Sequence, residues 1–86
     1  MKELKLSDQL SDGMLLQWGM KIRIWGYDEP GRNVMVCFLG EEYVGRTGQD
    51  GVWEVWLLKV SKGGPATMYI RDEQGNEEVI ADIRIV

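Results

Sequence analysis

The chain has 86 residues, 44% of them hydrophobic, which is enough apolar material for one small packed domain. It contains one cysteine, Cys37, and no histidine, which excludes an internal disulfide and disfavours a structural zinc site. The formal net charge of −4, with basic residues scattered along the chain, disfavours nucleic acid as a partner. The composition therefore predicts a single domain, residues 1–86, that is stabilised by packing and carries no cofactor.

The N-terminal segment shows no sign of a secretory signal. Lys2, Glu3, Lys5 and Asp8 follow Met1 closely, and no apolar stretch separates them. Apolar runs elsewhere are only a few residues long, far short of a membrane span. The sequence therefore predicts a cytoplasmic protein without a membrane partner.

Eleven glycines divide the chain into short segments in which apolar residues recur at every second position. This period is typical of strands, and no segment shows a sustained helical period. Six or seven short strands are predicted, drawn from residues 14–17, 21–25, 33–39, 42–47, 52–58, 67–71, 78–81 and 83–86.

Turn signals separate these segments. Pro30-Gly31 suits a turn, because proline presets φ and glycine tolerates positive φ. Asp50-Gly51 predicts a two-residue hairpin turn of type I′. Residues 63–65 and 74–76 are predicted as loops. Short strands joined by turns, with no helix, predict an antiparallel β-sandwich or barrel.

One face of each predicted strand should contribute to a shared core, since successive side chains point to opposite faces. Trp53 should be the largest core side chain, because a buried aromatic removes roughly 150–250 Å² from water. Trp25 does not fit the alternation of its strand and is predicted to lie at a bulge or strand end. The predicted core comprises Ile22, Ile24, Val34, Val36, Phe38, Trp53, Val55, Leu57, Met68 and Ile70.

The residues expected of a catalytic site are missing. A nucleophilic side chain needs a neighbouring base, and histidine, the usual base, is absent. Cys37 lies within a predicted strand without a cationic neighbour, which favours a structural thiol over a reactive one. The pairs Asp28-Glu29, Asp72-Glu73 and Glu77-Glu78 lie in or beside predicted turns and are interpreted as solvated charge. We expect no catalytic and no metal-binding residue in this chain.

Outward-facing apolar side chains are the most informative feature for function. Met35, Cys37, Trp56 and Tyr69 are predicted to point away from the core, and neighbouring exposed apolar residues mark contact surfaces. The alternative is that these residues lie far apart, or that the strand register is shifted by one. We take the four residues as a candidate domain-contact patch.

Four motifs follow one another at compatible spacing over nearly the whole chain. Residues 10–17, LSDGMLLQ, are similar to an FSD-x-MVLQ opening, and residues 25–36 to a WG-x-x-x-PG-x-x-V-x-V stretch. Residues 50–53 match DGKW, and residues 63–65 match GGP. As an ordered set they resemble the N-terminal region of bacterial sialic-acid-specific 9-O-acetylesterases. The chain departs from that pattern at Trp18, where arginine is usual, and at Lys21, where proline is common.

The resemblance implies an immunoglobulin-like β-sandwich that is a non-catalytic N-terminal domain. In this family an SGNH-type hydrolase domain follows, with its serine nucleophile in a GQSN motif. That motif is expected shortly after Val86, so none of the family's catalytic residues falls on this chain. The implied partner is the catalytic domain of the same parent chain, and the isolated domain is expected to be able to self-associate.

Two other functions remain open from the residues alone. A free-standing carbohydrate-binding module could use Trp18, Trp25 and Trp56 as exposed planar rings for a sugar. A complete small esterase would need a nucleophile and base pair that this sequence lacks.

Overall fold

The computed structural model describes residues 3–58 and 60–86, which form eight strands and no helix. The all-β prediction is therefore confirmed. No helix in the described part of the chain is long and apolar enough to span a membrane. The strands are β1 (Lys5–Leu6), β2 (Leu15–Leu16), β3 (Ile22–Tyr27), β4 (Asn33–Phe38), β5 (Glu41–Arg46), β6 (Val52–Leu57), β7 (Gly63–Asp72) and β8 (Glu77–Ile85).

The strands form two sheets that enclose a common core, as a β-sandwich requires. One sheet has the order β1-β3-β6, and the other has the order β2-β8-β7-β4-β5. Neighbouring strands are antiparallel except β2 and β8, which run parallel. The predicted antiparallel arrangement needs correction at this pair alone.

Strand β8 joins two segments that the sequence pattern separated. Ile80 and Ile83 both point into the core although they are an odd number of residues apart. Between the pairs Met68–Ile80 and Ala66–Ile83 the register shifts, so that β8 holds one residue more than β7. Asp82 lies in this bulge with a positive φ of 56°. The bulge reverses the alternation of side chains, which made one strand resemble two.

Strand β7 begins at Gly63, so the predicted loop at residues 63–65 is wrong. Gly63 pairs with Ile85, and a second register shift follows before Ala66. Gly63 and Gly64 have φ values of 154° and 116°, which residues other than glycine rarely adopt. These glycines therefore serve an irregular strand rather than a loop.

The predicted core is confirmed for nine of its ten members, and Ile22, the tenth, is half-buried against it. Trp53 is only 1% exposed, and its indole Nε1 donates a hydrogen bond to the Tyr27 carbonyl oxygen at 3.2 Å. The polar end of this large ring is therefore satisfied inside the core. The core also contains Leu4, Leu16, Val60, Ile80, Ile83 and Ile85.

Trp25 lies in a regular part of β3, so the predicted bulge or strand end is wrong. Strands β3 and β6 pair without interruption from Ile22–Leu57 to Tyr27–Val52. Trp25 points outward, and the neighbouring inward position is occupied by Gly26. A side chain at Gly26 would overlap the Trp53 ring and the Lys5 carbonyl oxygen. The inward position 26 has no side chain because the Trp53 ring, from a distant part of the chain, fills that space.

Gly45 allows the two sheets to approach along one side of the sandwich. It lies in β5, at the edge of the five-stranded sheet. A Cβ at this position would overlap the Glu54 carbonyl oxygen and crowd the Val55 side chain, both in β6 of the other sheet. Only glycine permits this backbone approach without movement of a strand.

Gly45→Ala should lower the free energy of unfolding by about 3 kcal/mol, because the obstructing atom is backbone and cannot rotate away. Gly48→Ala is the matched control. A Cβ at Gly48 would mainly meet the Asp50 carboxylate, a side chain that can move, so we expect a loss of at most about 1 kcal/mol. Urea unfolding of both variants checks this, and equal losses would contradict the role given to Gly45.

Candidate functional site

Three of the four predicted patch residues share one surface. Met35 and Cys37 in β4 and Tyr69 in β7 point outward from the five-stranded sheet, and Cys37 pairs with Tyr69. Val44 in β5 pairs with Met35, and Val79 in β8 pairs with Tyr69. These five side chains form a band across four strands, which we call the apolar face. Tyr69 and Val79 are each 47% exposed and Val44 is 65% exposed, so the band is open to solvent.

Trp56 does not join the apolar face. It lies in β6 and points outward from the three-stranded sheet, on the opposite side of the sandwich. Its neighbours there are Arg23, Trp25, Tyr27 and Glu54, which alternate outward along β3 and β6. We call these five residues the aromatic face. One partner surface therefore cannot cover all four predicted patch residues.

Trp25, at the centre of the aromatic face, is enclosed by its neighbours. The Arg23 guanidinium lies 4.8 Å from the centroid of the Trp25 ring, which is a cation–π contact. Tyr27 meets the same ring edge-on, with centroids 5.5 Å apart. The indole Nε1 of Trp25 donates to Gln9 Oε1 at 3.3 Å. Arg23 thus covers a ring face that a sugar would need for stacking.

Glu54 links Arg23 to Trp56 on the same face. Its carboxylate forms an ion pair with Arg23 and accepts a hydrogen bond from the Trp56 indole Nε1 at 3.3 Å. The Arg23 and Trp56 hydrogen bonds, with Arg23 contributing most, lower the pKa of Glu54. Trp56 remains 46% exposed and Tyr27 43% exposed. The open aromatic surface of this face consists of those two rings.

Trp18 lies elsewhere, two residues after the end of β2. Its backbone N–H donates to the Val86 carbonyl oxygen at 3.1 Å, which places it beside the end of β8 in the five-stranded sheet. Its side chain is 58% exposed. The three tryptophans considered as a sugar platform therefore do not share one face.

The hydroxyl and thiol groups are dispersed. Ser7 is buried with its Oγ lacking a hydrogen-bond partner, whereas Ser11 and Ser61 are exposed. Cys37 is half-buried on the apolar face. Among residues 3–58 and 60–86, no group of three or more Cys, Asp or Glu side chains is arranged to hold a metal ion.

Two carboxylates that the sequence predicted to be solvated are buried. The side chains of Asp28 and Asp72 are both 0% exposed, with the Arg32 guanidinium between them. Arg32 Nη1 lies 3.0 Å from Asp28 Oδ1 and 3.5 Å from Asp72 Oδ2. We call Asp28, Arg32 and Asp72 the acid clamp. The prediction is wrong here, because the turns that follow β3 and β7 fold over the same end of the sandwich.

The acid clamp holds three turns together. Asp72 accepts hydrogen bonds from the backbone N–H groups of Gln74 and Asn76 at 2.9 and 3.0 Å, and from Asn76 Nδ2 at 2.9 Å. These bonds define the turn between β7 and β8. Asp28 N–H donates to the Gly51 carbonyl oxygen at 3.0 Å, which attaches the turn between β5 and β6.

The two carboxyl groups of the clamp have opposite pKa shifts. Burial raises the pKa of Asp28, and the Asp72 carboxylate beside it adds to the rise. Burial alone would also raise the pKa of Asp72, but hydrogen bonds from Asn76 and Asp28 outweigh it and lower that pKa. Asp28 Oδ2 is buried without a hydrogen-bond partner, and burial beside the Asp72 carboxylate favours the neutral form of Asp28 over that of Asp72.

No protein-family model matches the sequence, and the search of curated proteins gives no match. The fold resembles part of a carbohydrate acetylesterase. The similar structure is the crystal structure of a novel carbohydrate acetylesterase from Xanthomonas citri, with a TM-score of 0.89 and 27% sequence identity. The match covers 95% of this chain and 19% of that chain. The chain thus spans about a fifth of the protein it resembles, and the likeness does not distinguish sialate-specific enzymes from other carbohydrate esterases.

Asp72→Asn should lower the free energy of unfolding by about 2–3 kcal/mol, because a charged acceptor of several hydrogen bonds is lost beside Arg32. Asp28→Asn should cost much less, since burial beside Asp72 already disfavours the charged form of Asp28 and the asparagine side chain carries no charge. Urea unfolding at neutral pH checks the difference. Equal losses in the two variants would contradict the opposite pKa shifts of Asp28 and Asp72.

The pH dependence of stability should separate the two carboxyl groups. Since the pKa of Asp28 in the folded state is above the ordinary 3.8, its contribution is complete below that value and is lost as pH rises through the raised pKa. Asp28→Asn should remove this loss, so the stability of the variant relative to wild type should improve from acid to neutral pH. The lowered pKa of Asp72 contributes stability above 3.8 that is lost as pH falls through it. A pH-independent difference between wild type and Asp28→Asn would contradict this account.

Proposed function

We propose that this chain is a non-catalytic domain of a carbohydrate O-acetylesterase. The observation that carries the proposal is the likeness to about a fifth of a carbohydrate acetylesterase, at a TM-score of 0.89 over 95% of this chain. The absence of histidine and the dispersion of the three serines support a domain that does not supply the nucleophile and base.

The parent enzyme in this proposal is a sialate O-acetylesterase. The ordered motifs at residues 10–17, 25–36, 50–53 and 63–65 support that narrower substrate class. An SGNH-type hydrolase domain would carry out ester cleavage, and the β-sandwich would pack against it and support it. The candidate contact patch is divided between the apolar face, with Met35, Cys37 and Tyr69, and the aromatic face, with Trp56, so a single contact with the hydrolase domain would not cover all four residues.

Hydrolysis of a chromogenic acetate ester tests the assignment of roles. The 86-residue chain should show no turnover above buffer, whereas a protein that continues through the hydrolase domain should hydrolyse the ester. Serine→Ala substitution in the GQSN motif of the longer protein is the control and should abolish its activity. Turnover by the purified chain would contradict the proposal.

A sugar-binding module is the second candidate function. Trp56 and Tyr27 are nearly half exposed on one face, beside the ion pair of Arg23 and Glu54, and such a mixture of rings and polar groups suits a sugar. The contact between Arg23 and Trp25 counts against it, because a ring already covered by a guanidinium offers less stacking surface. We therefore favour the esterase domain.

Titration of the isolated chain with O-acetylated sugars separates the two functions. Under the favoured proposal, tryptophan fluorescence should not change over the millimolar range in which single-site sugar binding falls, at roughly −4 kcal/mol. Saturable binding that Trp56→Ala abolishes and Tyr69→Ala preserves would support the sugar-binding module instead. Tyr69 is a matched control because it is an aromatic residue of similar exposure on the opposite face.

A further inference from the structure

One end of the sandwich carries an unusual amount of exposed apolar surface. Trp18, Met20, Leu39, Leu58 and Val86 are all between 51% and 58% exposed. They lie in the connections after β2, β4 and β6 and at the end of β8. We call these five residues the exit surface, because the last residue of the chain belongs to it.

Backbone pairing brings the members of the exit surface together. Trp18 N–H donates to the Val86 carbonyl oxygen, and Gly19 N–H donates to the Val60 carbonyl oxygen, both at 3.1 Å. Leu39 and Leu58 line the same groove as Val60, which has a volume of about 460 Å³. Met20 follows Gly19 directly. These links place all five residues at the same end of the sandwich.

The opposite end of the sandwich has a different character. Its turns, residues 28–32, 47–51 and 72–76, contain no large apolar side chain, and the acid clamp ties them together. Turns of a solvated sandwich are expected to be polar at both ends. The apolar character of the exit surface is thus specific to one end.

Leu39 shows that this character conflicts with local preference. It has a φ of 52° and precedes Gly40 with a φ of 79°, so both central residues of the turn have left-handed backbone conformations. Asparagine, aspartate or glycine would adopt this conformation with less strain. A leucine here combines a strained backbone with a side chain that is 51% exposed. Such a departure from local preference is expected where a residue serves a contact.

We propose that the exit surface is the docking site of the hydrolase domain that follows Val86. This inference rests on the proposed function, which places that domain directly after the last strand. Two backbone hydrogen bonds hold Val86 in the sheet. Its N–H donates to the Leu16 carbonyl oxygen, and its carbonyl oxygen accepts from the Trp18 N–H. A domain that continues from Val86 therefore emerges next to Trp18, with the exit surface as the nearest apolar area. The apolar face lies along the side of the sandwich, away from this point.

Leu39→Asn provides a test with opposite expected signs. In the isolated chain, relief of the strained backbone should raise the thermal midpoint by about 4 °C or more. In the longer protein the leucine is buried against the hydrolase domain, so the same substitution should lower the midpoint. Leu58→Gln should leave the isolated chain nearly unchanged and also lower the midpoint of the longer protein. Thermal unfolding of each variant in both proteins gives these four comparisons.

Val44→Asn is the control, since Val44 lies on the apolar face and is more exposed than Leu39 and Leu58. It should change the isolated chain and the longer protein equally. If Leu39→Asn raises both midpoints alike, the exit surface is free in the longer protein and the inference is overturned. If Val44→Asn destabilises only the longer protein, docking occurs through the apolar face and the inference is also overturned.

Failure of the proposed function would be recognised separately. If the coding sequence beyond Val86 encodes no hydrolase domain, the proposed function fails, and with it the hydrolase domain as occupant. Sedimentation of the isolated chain then identifies the alternative occupant. A dimer that Leu58→Gln dissociates and Val44→Asn preserves would assign the exit surface to a second copy of this chain and overturn the inference.

Discussion

The whole structure depends on one layer of apolar side chains enclosed between two sheets. The chain has a single cysteine and therefore no disulfide of its own, so burial of this layer must offset the conformational entropy lost on folding. Trp53 is at the centre, with its indole N–H satisfied by the Tyr27 carbonyl oxygen. The same layer requires glycine at positions 26 and 45. Gly26 leaves space for the Trp53 ring, and Gly45 leaves space for the backbone of β6.

The two ends of this layer are closed by different means. At one end, buried charge and turn hydrogen bonds of the acid clamp hold the connections in place, and removal of Arg32 would leave buried carboxyl groups without their cation. At the other end, apolar side chains remain exposed around the last strand. The polar end of the domain is thus closed by its own turns. The other end, where a following domain would lie, keeps exposed apolar side chains.

The proposed function agrees with this asymmetry. A domain that supports a hydrolase needs a rigid body and an apolar contact surface, and it needs no nucleophile of its own. The aromatic face is the part of the molecule that could bind a sugar without a second domain, through Trp56 and Tyr27. The ring at the centre of this face, Trp25, is covered by the Arg23 guanidinium. This contact stabilises the sheet surface and reduces the aromatic surface that a ligand could use.

Most of the strands and most of the core could be predicted from the residues, because alternation along a strand is a local property that is visible in the sequence. The remaining features depend on contacts between segments that are distant in the chain. The bulge at Asp82 reverses the alternation, so Ile80 and Ile83 could not be assigned to one strand in advance. Burial of Asp28 and Asp72 depends on two distant turns that meet around Arg32, and Trp56 is separated from Tyr69 by the assignment of their strands to different sheets. Such features depend on which strands become neighbours, and residue spacing carries no record of that choice.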